Sequence, residues 1–396
     1  MTSEEASLSI APSRPALWRD PRFRGIAYQI VFVLAVVGAA SFLIHNMLGN
    51  ISRQNIATGF GFLHKEAAFG IGESVIEYSP ADTYAWAFLV GLTNTLHVAA
   101  LGIVLASILG VLMGLARLSS NWLVAKLAQV YVETFRNIPL LLQLFFWWGL
   151  LNQAAPAPRQ AWQILPDVFV SNRGVAFPVL AANPTYKWMA LAFLVGVVLV
   201  IPLRRWAARR QAVTGRQFRT GWAGLGLVLG LPAAVFLIGG APLGLDAPAL
   251  HGFNFSGGET ISPEFTALLL GLVIYTGTFI AEIVRAGILA VSWGQSEAAM
   301  ALGLRSSQRM RFVVLPQALR VIIPPLTSQY LSLTKNSSLA VAIGFPDLVS
   351  IANTTMNQTG QAVEGIVMIM AVYLFISLAI SLGMNFYNRA VALVER

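Results

Sequence analysis

Glu297-Ala298-Ala299-Met300-Ala301-Leu302-Gly303-Leu304-Arg305-Ser306-Ser307-Gln308-Arg309-Met310-Arg311-Phe312-Val313-Val314-Leu315-Pro316 is a polar, basic interruption between two long apolar runs. Ser296 is placed to cap a short helix. Glu297 then falls in its first turn, where the helix dipole favours negative charge, and Gly303 supplies a left-handed stop. A helix of about six residues does not hold itself together in water. It needs a surface to pack on, and the small side chains of Ala298, Ala299 and Ala301 let it lie deep in a groove on another protein. Ser306 starts a second helix, which carries Arg309 and Arg311 and is expected to end near Pro316.

The flanking chain settles the class. Of 396 residues, 56% are apolar and 11% charged, where a soluble domain carries about 25% charged residues. Cysteine is absent, which excludes disulfides and thiolate metal sites. Apolar runs of spanning length lie at 26–48, 86–116, 138–152, 187–203, 221–240, 264–290, 320–345 and 363–387. The third reaches that length only if its helix begins near Arg136. The chain therefore reads as an all-α polytopic membrane protein of about eight transmembrane helices. The first run competes with a signal peptide cleaved after the small Gly38-Ala39-Ala40, but it exceeds the apolar core of about 7–15 residues such a peptide carries, so it is taken as an uncleaved span.

The formal charge of +9 raises the question of nucleic acid, and charge placement answers it. With the N-terminus inside, the cytoplasmic segments collect Arg14, Arg19, Arg22, Arg24, Arg117, Lys126, Arg136, six arginines between 204 and 219, Arg285, Arg305, Arg309, Arg311, Arg320, Arg389 and Arg396. The outer loops, 46–85, 153–186, 241–263 and 346–362, with Lys187 at the edge of the second, hold only Arg53, Lys65, Arg159, Arg173 and Lys187. Twenty against five is a strong positive-inside bias, and no nucleic acid is implied. Both termini are expected in the cytoplasm. The six arginines, Arg204, Arg205, Arg209, Arg210, Arg216 and Arg219, read as an orienting loop held at anionic headgroups, with a regulatory protein contact as the alternative. Two Gly-xxx-Gly pairs, Gly110 with Gly114 and Gly226 with Gly230, are candidates for close helix contact.

The spacing of Glu297-Ala298-Ala299, Gly303 and Val313-Val314-Leu315-Pro316 resembles the EAA loop of membrane permease subunits in bacterial ATP-binding-cassette importers, with Val313 where the family usually has Ile. Other stretches are similar to the polar amino-acid branch of that family. They are Gly91-Leu92-Thr93-Asn94-Thr95-Leu96 leading to Gly114-Leu115-Ala116-Arg117, Phe135 to Phe146, Tyr275 to Ile288, and Lys335-Asn336-Ser337-Ser338-Leu339 followed by Gly344-Phe345-Pro346-Asp347-Leu348. The resemblance covers roughly 86–150 and 264–392. It implies a five-helix permease core split into 86–151 and 264–392, with the coupling loop at 293–320. The additions are a tail at 1–25, a first span and outer loop at 26–85, and a two-span insertion at 152–263. This enlarged layout looks like the Q-type permease of the general L-amino-acid importer group.

What the resemblance implies for partners follows. Glu297, Ala298, Ala299, Gly303, Arg305, Leu315 and Pro316 would dock the ATPase subunit, which carries ATP and Mg; this chain would bind no cofactor itself. A periplasmic binding protein would deliver L-amino acid, and a second, related but unequal permease subunit would complete the path across the bacterial inner membrane.

Polar groups inside spans are costly and by default mark a path or an interhelical bond. Lys335 lies about 22 Å from the inner end of its helix at 1.5 Å per residue. With Asn336, Ser337 and Ser338 it can unwind the helix and meet the zwitterionic head of an amino acid, or it can snorkel outward. Asn94, Asn137, Gln143, Tyr275 and Thr276 are either helix-to-helix hydrogen bonds or pocket lining. Glu282 with Arg285, and Glu133 with Arg136, are spaced to pair on one helix face, as structural pairs or as an inner gate. The four histidines have no metal spacing, and no phosphate loop or nucleophile elbow is present, so the chain is not expected to be an enzyme. An ion-coupled secondary transporter, which would require acidic or histidine relays at mid-membrane, is the alternative.

Overall fold

The computed structural model describes residues 21–53 and 58–391. Arg14 and Arg19 of the expected tail, and Arg396, lie outside them. The helices are α1 (Pro21–Arg53), α2 (Tyr84–Arg117), α3 (Trp122–Asn137), α4 (Leu140–Gly149), α5 (Pro184–Thr214), α6 (Thr220–Ile238), α7 (Pro263–Leu289), α8 (Trp293–Ala301), α9 (Ser306–Arg309), α10 (Leu315–Asn336), α11 (Leu348–Thr359) and α12 (Ala362–Val391). Among the described residues six helices are long and apolar enough to cross a membrane, and a seventh span forms if 306–343 and α11, bent by 51°, count together.

The run at 138–152 does not become an eighth span. Its helix starts at Leu140, not near Arg136, and with a closing π turn (Leu150–Ala154) it covers 15 residues, about 22 Å at 1.5 Å per residue. The cause is Pro139, which pushes Ile138 into an extended conformation (φ −91°, ψ 125°) and separates α3 from α4.

α7 is the axis of the core. Ser262 caps it, accepting the Phe265 N–H at 3.0 Å, and α2, α3, α4 and α10 pack around it. Leu268, Leu272 and Ile280 of α7 are fully buried together with Val98, Leu144, Leu333 and Phe345. Lipid offers no hydrophobic drive for helix association, so close backbone approach must supply the contact. Gly110 and Gly114 provide it: a Cβ on Gly110 would stand 2.5 Å from the Ile280 Cβ, and one on Gly114 2.7 Å from the Ala281 carbonyl oxygen. Gly226 and Gly230 do not play this part, having nothing within 4 Å. The α5–α6 hairpin closes instead through Gly196, whose added Cβ would lie 2.6 Å from the Leu227 carbonyl oxygen.

Segments expected to be outer loops carry structure of their own. Strands β1 (Trp162–Leu165), β2 (Val168–Ser171), β3 (Gly174–Phe177), β4 (Val179–Leu180), β5 (Leu245–Asp246), β6 (Ala249–His251), β7 (Asn254–Ser256) and β8 (Glu259–Ile261) form an antiparallel sheet β1-β2-β3-β8 and the pairs β4-β5 and β6-β7. The sheet ties the two ends of the insertion together, with Val175 opposite Ile261. At 346–362 the expected loop is mostly α11, capped by Asp347, whose Oδ1 accepts the Ser350 N–H at 2.8 Å, and stopped by Gly360 at φ +73°.

Candidate functional site

The segment expected to couple to a partner begins earlier than the sequence suggests. α8 starts at Trp293 behind Ser292, so Ser296 lies inside the helix and Glu297 is in its fifth position, not its first turn. The C-terminal end is as expected. Gly303 has φ +74°, its N–H donates to Met300 O at 2.9 Å, and Leu304 N–H reaches Ala299 O at 3.1 Å, the paired bonds of a Schellman stop. Ser296 and Ala299 are buried, while Glu297, Ala298, Met300 and Ala301 are exposed. Trp293 and Leu302 extend the free face, 67% and 81% exposed.

What holds α8 is the turn after it. The second helix does not end at Pro316: α9 passes through a π turn (Met310–Val314) directly into α10. Pro316 has no N–H and would break an α-helical ladder. The π turn takes up the irregularity just before it, with Leu315 N–H donating to Met310 O. α8 packs on this turn, and Gln317 Nε2 donates to Gln295 Oε1 at 3.3 Å. Arg305 is exposed, its backbone N–H donating to Gln308 Oε1 at 3.0 Å. Leu315 and Pro316 are exposed beside it.

About two turns before the end of α7, Glu282 is held by two arginines. Arg285 Nη2 donates to Glu282 Oε1 at 2.6 Å, and Arg117 at the end of α2 bonds the other carboxylate oxygen. The pairing of Glu282 with Arg285 is as expected. Arg117 was not anticipated, though the glycine spacing that brings α2 against α7 carries the signal for it. Glu133 and Arg136 form no ion pair; Arg136 instead lies over the Phe279 ring at 5.4 Å, and the Glu133 carbonyl accepts Asn137 Nδ2 at 2.7 Å.

On the opposite side, Asn94 is fully engaged. Its Nδ2 donates to Glu73 O and Pro346 O, both at 2.9 Å, and its Oδ1 accepts the Val75 N–H at 3.1 Å. Thr95 Oγ1 accepts Leu348 N–H at 3.0 Å, and an added Cβ on Gly91 would meet Leu348 Cα at 3.0 Å. The two stretches around Gly91 and Gly344 thus pack on each other. Beside them a cavity of about 370 Å³ is lined by Glu73, Ser262, Glu264, Gly344, Ser350 and Thr354. Burial holds the Glu73 carboxyl above its ordinary range; the Ser262 hydroxyl, which donates to it, pulls the other way, and Glu264 and Glu259 add to the rise.

The remaining polar residues do not converge on that cavity. Gln143 braces the α3–α4 break, donating to Phe135 O at 2.9 Å and Ile138 O at 3.0 Å. Tyr275 stacks edge-on with Phe279 and Thr276 is buried in α7. Lys335 is exposed, and the helix changes pitch where expected: Asn336 ends α10 and a 3₁₀ segment runs Ser337–Ile343, with Ser337 buried and Ser338 Oγ donating to Lys335 O.

Residues 102–393, from within α2 past the end of α12, match the family described as binding-protein-dependent transport system inner membrane component. The chain belongs to this family. Two relatives extend the similarity over nearly the whole length of this transport component. It is 50% identical to the general L-amino acid transport system permease protein AapQ of Rhizobium johnstonii, over 95% of this chain and 94% of that one. It is 51% identical to the putative amino-acid ABC transporter permease protein YhdX of Escherichia coli K12, over 95% and 96%. The glutamate/glutamine/aspartate/asparagine transport system permease protein BztB of Rhodobacter capsulatus is 41% identical over 95% and 96%. An inner membrane transport component served by a binding protein replaces the ion-coupled secondary transporter as the reading of this chain.

Proposed function

We propose that this chain is the permease subunit through which L-amino acids pass from periplasm to cytoplasm in an ATP-binding-cassette importer, driven by a separate ATPase that docks on α8. The observation that carries the proposal is the build of α8. It is a nine-residue helix stopped at Gly303, anchored by Ser296 and Ala299, with Glu297, Ala298 and Ala301 turned outward. The amino-acid relatives support the substrate class. ATP and Mg would be held by the ATPase; this chain contributes no nucleotide site. A second permease subunit, related but unequal, would complete the path, and both termini and α8 would face the cytoplasm.

Mechanically, an ATPase pair that closes on ATP shifts the permease only if it fits one spacing of the α8 helices better than another. α8 moves with the turn it packs on, and α7 and α10, which flank it in the chain, carry the displacement toward the path. The test is co-purification of the chain, with and without Glu297→Arg, with its candidate ATPase and second permease, followed by ATP-driven uptake of labelled amino acids into proteoliposomes. Loss of both recruitment and uptake in a folded variant supports the assignment. Normal recruitment by Glu297→Arg with uptake independent of ATP overturns it.

A further inference from the structure

The α5–α6 hairpin ends in a basic surface that the coupling role does not use. Between Asp167 and Asp246 the sequence contains no carboxylate, and among the described residues none of Arg204, Arg205, Arg209, Arg210, Arg216 and Arg219 makes an ion pair. They are not spread evenly. Arg204 from α5 and Arg219 from the start of α6 line one hollow of about 420 Å³ with Ala207, Gln211, Gln217 and Phe218. Phe218 of that lining is itself held in place: Trp206 meets it edge-on at 5.3 Å, and Arg210 lies 5.4 Å from the Trp206 ring and 5.9 Å from that of Phe218.

The aromatic residues also fix its depth. Trp188 and Trp206 are separated by 18 positions on one helix, about 27 Å at 1.5 Å per residue, close to the hydrocarbon thickness of about 30 Å. Trp206 and, across the hairpin, Trp222 are half or more exposed, as side chains seated at a membrane interface are. The hollow therefore opens at headgroup height. A guanidinium matches phosphate oxygens with two parallel N–H bonds, and two guanidiniums from different helices can close on one phosphate.

We propose that this hollow is a binding site for the phosphate of an anionic phospholipid headgroup, clamped between Arg204 and Arg219. It rests on α5 and α6 crossing the membrane with this end in the cytoplasm.

The test uses the full-length chain purified in detergent, titrated separately with phosphatidylglycerol, phosphatidylcholine, inorganic phosphate and a poly-glutamate peptide, with bound molecules counted by native mass spectrometry. Phosphatidylglycerol is expected to bind at least about tenfold more tightly than phosphatidylcholine, and Arg204→Gln with Arg219→Gln to erase that preference. Arg204→Lys with Arg219→Lys keeps the charge that orients the hairpin and should weaken binding several-fold by losing the paired bonds. Equal retention of the two lipids, or unchanged phosphatidylglycerol binding in both double variants, overturns the proposal. Displacement of lipid by millimolar inorganic phosphate would make the ligand a soluble phosphate, and retention of the peptide in place of lipid would make the surface a protein dock; either overturns the lipid assignment. Because the chain has no cysteine, Thr214→Cys labelled from one side of the membrane reads the orientation by itself, so a wrong topology is told apart from a missing lipid site.

Discussion

Asn94 and Pro346, 252 positions apart in the chain, are joined by one hydrogen bond of 2.9 Å from Asn94 Nδ2 to the Pro346 carbonyl. The same amide nitrogen also holds Glu73 O, so a single side chain fastens the loop before α2, α2 itself and the bend before α11. Replacing it with an apolar residue of similar size strands two carbonyls and an amide. Asn94→Leu is expected to destabilise the chain by on the order of 3 kcal/mol, read as a clear fall in the thermal midpoint of the detergent-purified protein. An unchanged midpoint would mean that this junction is not a structural fastening.

The α2–α7 seam predicts a contrast between glycines. Gly110→Ala places a methyl against Ile280 where nothing can give without moving a helix, a change expected to cost about 1–3 kcal/mol. Gly226→Ala meets open space and should leave stability within about 0.5 kcal/mol. Parallel thermal melts of the two variants decide the matter; equal effects would sink the seam.

The carboxylate of Glu282 balances Arg117 and Arg285 in the last turns of α7, the end that leads to α8. Its side chain is 29% exposed, so solvent screens part of the attraction, and a double-mutant cycle of Arg117→Met with Glu282→Gln should return a coupling of about 1 kcal/mol. If the group also restrains the seam, Glu282→Gln should raise ATP hydrolysis by the assembled transporter in the absence of substrate. A cycle energy of zero would show the two side chains to be neighbours without energetic connection.

Glu73 makes a prediction about pH. Its folded carboxyl titrates above 4.5 because burial disfavours the charge. A raised folded pKa means the contribution to stability is fully present below the unfolded pKa and lost as pH rises through the folded one. The thermal midpoint should therefore fall as pH is raised from about 4.5 toward neutrality, and Glu73→Gln should flatten that slope. A variant with the wild-type slope would place the titration elsewhere.

Much of this arrangement was legible in the residues. Gly303 announces its stop because only glycine enters the left-handed region without cost, and Glu282 with Arg285 follows from helical spacing alone. Asn94 and Thr95 were recognisable as polar groups that need partners, but their partners come from residues 73–75 and 346–348 and leave no local pattern. That is why the sequence leaves Asn94 open between an interhelical hydrogen bond and pocket lining, and the groups it joins emerge only from the fold. Arg117 was hidden by a sufficient local explanation, since Arg285 already satisfies Glu282 on its own helix. The strands, two to four residues each, are too short to display an alternation that distinguishes them from loop. The run at 138–152 misled because hydropathy registers apolar content and is blind to the break that Pro139 imposes.

The π turn between α9 and α10 has a rotational consequence. Each of its hydrogen bonds closes over one residue more than an α turn does, so side chains on either side of Met310–Val314 stand about 100° out of phase with an uninterrupted helix. The face that α9 presents, relative to the buried face of α10, is thus set by a single surplus residue. Deleting one residue from that turn would keep every chemical group of α8 and turn α9, with the surface on which α8 packs, about the axis of α10.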